Sequence, residues 1–100
     1  MRTLILLLLL LLSFNVTAND DRCNTAIGVY AQGKLLFAAQ LFLMDAVDNK
    51  NGCSAFQLGM MFHYGHGVRK DKALSAQWIN SAREYGFDKA QLVVIEYSNL

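Results

Sequence analysis

The stretch Ala55–Gly86, AFQLGMMFHYGHGVRKDKALSAQWINSAREYG, decides the fold. Ala55, Leu58, Gly59 and Phe62 recur at i, i+3, i+4 and i+7, the spacing of one helix face. Tyr64-Gly65-His66-Gly67-Val68 then predicts a loop, because two glycines so close together do not sit in a helix interior. Asp71 is placed to cap a following helix. In that helix Leu74, Trp78, Ile79 and Ala82 turn inward before Gly86 ends it. The segment is a helix–loop–helix.

The same period extends both ways. Upstream, residues 34–47 form the most apolar stretch, with Leu35, Leu36, Ala38, Ala39, Leu41, Phe42, Leu43 and Ala46. A helix so apolar on nearly every face is expected to be covered on two sides. Asp48-Asn49-Lys50-Asn51-Gly52 stops it, with Gly52 available for a left-handed cap. Before that, Cys23, Ala26, Ile27 and Tyr30 predict a first helix that breaks at Gly33. Downstream, Asp88 precedes an amphipathic segment carrying Ala90, Val93, Val94 and Tyr97. The pattern is all-α, about five helices, without a strand signal and without proline.

The chain opens on Met1-Arg2-Thr3, an unbroken aliphatic run from Leu4 to Leu12, a polar turn at Ser13 to Asn15, and Val16-Thr17-Ala18. This is the order of a cleavable export signal, with the mature N-terminus expected at Asn19. The apolar run falls short of the ~20 residues that span a bilayer. Residues 1–18 are thus read as a signal peptide and 19–100 as one helical domain, exported to the periplasm or secreted, with no membrane span after cleavage.

The 54% hydrophobic content is inflated by this leader. Nine Lys and Arg stand against eight Asp and Glu, and Arg2 belongs to the leader, so the remainder is balanced. A balanced chain has no basic field, which argues against a nucleic-acid partner. Cys23 and Cys53 are the only two cysteines. In an oxidising compartment an even pair reads as a disulfide, and two sulfurs alone do not make a structural zinc site.

An internal repeat underlies the pattern. Ala39 and Ala46 are seven apart, as are Ser75 and Ala82. Each pair is followed by a turn glycine (Gly52, Gly86), then by an alanine opening the next helix (Ala55, Ala90). The period is about 35 residues, that of stacked helical hairpins. Small residues at such points let helix axes approach closely.

Ala55, Leu58, Gly59, Phe62, Gly65, Gly67, Val68, Asp71, Ser75, Trp78, Ala82 and Gly86 together resemble a Sel1-like repeat, a relative of the tetratricopeptide repeat. Phe62 stands where that pattern usually has Tyr, and Ser75 where it usually has Ala. Residues 23–52 look like a tetratricopeptide-type hairpin, 53–87 like the Sel1-like repeat, and 88–100 like a capping helix. The resemblance implies a short α/α superhelix, a solenoid that acts as a protein-interaction module. Trp78 and Tyr97 are then core aromatics filling the gap between helices.

Enzymatic chemistry finds little footing. Ser54, Ser75 and Ser81 lack the surroundings of an activated nucleophile. Some cysteine-rich Sel1-like proteins are associated with β-lactam binding, and a cell-wall or β-lactam-binding role is the alternative reading. The denser cysteine pattern of that branch is missing here. His63 and His66 read as helix-end and loop residues rather than metal ligands. No cofactor is expected.

With Ala55, Leu58, Gly59 and Phe62 turned inward, Phe56, Met60 and His63 fall on a second stripe at i, i+4 and i+7. In the fold that the sequence resembles, this stripe lines the concave groove. Neighbouring helices would add Asn24 and Gly28 on one side, Gln91 and Ile95 on the other. A protein or peptide segment, bound by an adaptor or small inhibitor, is the expected ligand. The stripe is otherwise covered by the chain's own ends or by a second copy. A homodimer through the open solenoid ends is a further expectation.

Overall fold

The computed structural model describes residues 21–89, and they are helical with no strand among them. A first helix, α1, covers residues 21–31. Then come α2 (Leu35–Asn49), α3 (Gly52–Tyr64) and α4 (Lys72–Glu84). The fifth helix expected from Asp88 onward lies almost wholly outside the described residues, Tyr97 included.

Each boundary has a local cause. α1 ends on Gly33, whose φ of +81° is the left-handed conformation glycine adopts without steric cost. α2 ends differently from expectation. Lys50, not Gly52, takes the left-handed C-cap, with φ 49°. Asn51 then caps α3, its Oδ1 accepting from the Cys53 N–H at 3.0 Å. Gly52 is instead the first residue of α3, and its need for glycine is steric. A Cβ there would lie 2.7 Å from Phe87 Cβ and 3.1 Å from the Ala82 carbonyl oxygen. Asp71 caps α4 as its position predicts, Oδ1 accepting from Leu74 N–H at 3.0 Å.

The contacts fix the topology. Gly52 lies against Ala82 and Phe87 while Gly59 lies against Ser75 and Ile79, so α3 and α4 are antiparallel. Ser54 at the start of α3 reaches Asp45 near the end of α2, so those two are antiparallel as well. Cys23 and Cys53 form a disulfide with Cα atoms 6.1 Å apart, which sets the beginnings of α1 and α3 side by side. Helices α1 and α3 therefore run one way, α2 and α4 the other.

Two apolar clusters form between them. One joins Cys23, Ala26, Ala38, Phe42, Leu58 and Met61 across α1, α2 and α3. The other joins Ala46, Ala55, Ile79 and Ala82 across α2, α3 and α4. Phe42 is 1% exposed at the centre of the first, and burying such a ring contributes about 1.5–3 kcal/mol. Trp78 packs, half-buried, on both clusters.

Helix α2 departs from the expectation of cover on two sides. It buries Ala38, Ala39, Phe42, Asp45 and Ala46. Its opposite face leaves Leu36, Phe37, Leu43, Met44 and Val47 between 43% and 63% exposed. An apolar surround does not by itself say which face is covered, and here α1, α3 and α4 all lie on the same side.

Candidate functional site

The α3–α4 hairpin positions the stripe by using its small residues for close approach. A Cβ on Gly59 would sit 2.7 Å from Ile79 Cγ1 and 3.1 Å from the Ser75 carbonyl oxygen, so the helices meet backbone to side chain. Ala55, Ser75 and Ala82 are fully buried at the same seam. Leu58, 2% exposed, enters the first cluster, and Phe62 packs half-buried on it. The rotation of α3 is thereby fixed.

Phe56, Met60 and His63 then emerge half-buried. Phe56 and Met60 pack on the margin of the second cluster. The Phe56 ring tilts against Phe87 with centroids 5.1 Å apart. Phe87 in turn lines a recess of about 390 Å³ with Asn24, Asn51, Cys53 and Tyr85. Phe87, which follows α4, thus borders the recess that Asn24 also lines and carries the ring contact to Phe56. Gly28 is exposed on α1, and a Cβ there would meet nothing within 4 Å. The remaining two candidates, Gln91 and Ile95, lie outside the described residues.

His63 marks the other end of the stripe. Its ring stands edge-on to Tyr64 with centroids 4.7 Å apart. Tyr64 stacks on His66 at 5.5 Å, and His66 Nδ1 is hydrogen-bonded to the Tyr30 hydroxyl at 2.7 Å. The glycine loop is therefore tied to α1 by an aromatic run. Gly67 seats the loop on the start of α2, where a Cβ would fall 2.6 Å from the Leu35 carbonyl carbon. Among the described residues no group of three or more His, Cys, Asp and Glu is arranged to hold a metal ion.

Two polar features lie beyond what helical spacing reveals. Asp45 is buried within apolar α2, its Oδ2 accepting from Ser54 Oγ at 2.5 Å and its Oδ1 from Asn49 Nδ2 at 2.7 Å. It closes the α2–α3 turn, and a polar residue inside a greasy run is the only signal for it. Ser75 is fully buried, and its Oγ has no hydrogen-bond partner among the described residues. What the arrangement offers is shape: a half-buried aromatic and thioether edge, a polar recess at one end and an aromatic loop at the other.

Among the described residues no helix is long and apolar enough to cross a membrane. Comparison with protein-family models, with curated proteins and with solved structures gives no match.

Proposed function

We propose that this chain is an exported protein-interaction module, a short solenoid of Sel1-like and tetratricopeptide-like hairpins, that holds a protein or peptide segment on the α1–α3 face. The segment lies along Asn24, Gly28, Phe56, Met60 and His63; Gln91 and Ile95, the other two candidates, lie outside the described residues. The observation that carries this reading is the division of labour on α3. The residues of the repeat pattern are consumed by packing, while Phe56 and Met60 stay half-buried on the margin of the second cluster. Aromatic residues and Met are enriched at interface cores, and a thioether adapts to several shapes. Export fits the bonded cysteine pair, since disulfides persist in oxidising compartments.

The test is a photo-crosslinking amino acid placed at Asn24 or Met60 in cells, with exposed Gln77 on α4 as the control position. Capture of the same protein from Asn24 and Met60, and not from Gln77, supports the reading. Equal capture from all three, or none, refutes it.

A further inference from the structure

The outer face of α2 plays no part in the α1–α3 surface. Leu36, Gln40, Leu43 and Val47 recur there at the 3.5-residue spacing of a two-helix seam. Phe37 and Met44 flank that seam on one edge, exposed by 50% and 59%. On the other edge Leu36 and Leu43 border an apolar recess of about 210 Å³ that reaches Leu58, Phe62, Val68 and Trp78. At the exposures observed, the five large side chains present roughly 500 Å² of apolar surface, near the top of the range for the largest patch on an ordinary monomer.

We propose that this face is the contact of a homodimer in which α2 packs antiparallel on α2 of a second copy. Charge selects both the occupant and the direction. The N-terminus of α2 has no side-chain cap and no acidic residue in its first turn, and Lys34 stands exposed beside it. The last turn has no basic residue and carries exposed Asp48 on the Phe37–Met44 edge, with Lys50 beyond it at the C-cap. A two-fold axis in the plane of the contact brings like edges together in opposite directions. Asp48 of each copy then meets Lys34 and the uncapped amides of the other, where a negative charge is favoured. The same register sets Leu36 opposite Val47, Phe37 opposite Met44 and Gln40 opposite Leu43.

Size agrees. Two such faces bury about 1,000 Å² from these side chains alone, the lower bound of a specific interface, and the rim adds to it. The hydrocarbon of a bilayer is a poorer occupant, since it offers no cation to Asp48 and no partner to Gln40. This dimer is distinct from one formed through the open ends of the solenoid.

Sedimentation equilibrium of the oxidised protein recovered from cells expressing the full chain tests the proposal. A dimer is expected, with a dissociation constant on the order of micromolar. Leu43→Glu or Val47→Glu is expected to raise that constant at least about tenfold with helix content unchanged, both side chains being exposed. Should either variant fail to fold, the exposed ends carry the test. Asp48→Lys weakens the dimer, and adding Lys34→Glu restores it. A chain that stays monomeric overturns the proposal, as does a dimer indifferent to these substitutions or a double reversal that does not restore it. A monomer that sediments with phosphatidylglycerol vesicles through Leu43 and Val47 overturns it in favour of a membrane.

Discussion

Gly59 on α3 and Ile79 on α4 meet at a distance that leaves no room for a methyl group: a Cβ at Gly59 would lie 2.7 Å from Ile79 Cγ1. Behind Ile79 stands backbone, with the Ser75 carbonyl oxygen at 3.1 Å, so the pair cannot relax by a rotamer change alone. Gly59→Ala therefore separates the helices or strains the seam, at about 1–3 kcal/mol. That outweighs the ~1 kcal/mol gained in helix propensity. Gly28→Ala is the matched control, because its Cβ meets open space and only the propensity gain remains. Thermal unfolding should show the first variant less stable than the parent and the second more stable.

Ser75 gives a prediction of opposite sign. Its hydroxyl is fully buried without a partner among the described residues, a desolvation cost that Ala does not bear. Ser75→Ala keeps the volume nearly constant and should stabilise the fold by about 1 kcal/mol. A midpoint in urea that falls would mean that the hydroxyl has a role the packing does not reveal.

Asp45 and Ser54 form the complementary case, a buried polar pair that is satisfied. Ser54→Ala removes the donor to Oδ2 and leaves a buried carboxylate held by Asn49 alone. The expected cost is about 1–3 kcal/mol. Replacing both, Asp45→Leu with Ser54→Ala, should cost less than the single change predicts, because no buried charge is then stranded. Equilibrium denaturation of the three variants measures the difference.

The Cys23–Cys53 bridge closes a sequence separation of 30 residues. Chain-entropy arguments assign it about 3–4 kcal/mol, a large share of the stability of so small a domain. The Cys23→Ser, Cys53→Ser double variant should melt far lower than the parent in the absence of reductant. Equal melting would show that packing across the first cluster suffices.

Phe56 and Phe87 should couple. A double-mutant cycle with Ala at each position is expected to return about 0.5–1.5 kcal/mol, the range for an aromatic pair. Because Phe56 thus contributes to stability, Met60→Ala is the cleaner probe of partner binding. Loss of partner affinity with an unchanged melting point supports the α1–α3 face as a binding surface.

The helical hairpin Ala55–Gly86 was legible because three signals coincide there: spacing on two helix faces, a double glycine between them and a capping Asp71. The cysteine pairing followed from count and compartment, and the side-by-side starts of α1 and α3 agree with it. Other features are hidden from periodicity for physical reasons. In α2 almost every position is apolar, so no moment distinguishes the buried Phe42 from the exposed Leu43. Gly52 looks like a cap because glycine is common after helices, yet its role is to let Phe87 approach. The Asp45–Ser54 link depends on the path of the turn, which neither residue announces. For the candidate face, spacing placed Phe56, Met60 and His63 on one stripe, but the contact of Phe56 with Phe87 arises from tertiary packing.

The glycine at position 67 has a bearing on mechanics as well as on fit. Its contact with Leu35 pins the loop to the start of α2, while the cysteines pin α1 to α3 at the opposite end of the helices. Two hairpins held at a single point could twist and slide past each other; held at both ends, they keep only rotation about the line that joins the two contacts. On the proposed reading, the relative placement of the hairpins is largely set during folding and oxidation, so less entropy remains to be lost when a partner binds.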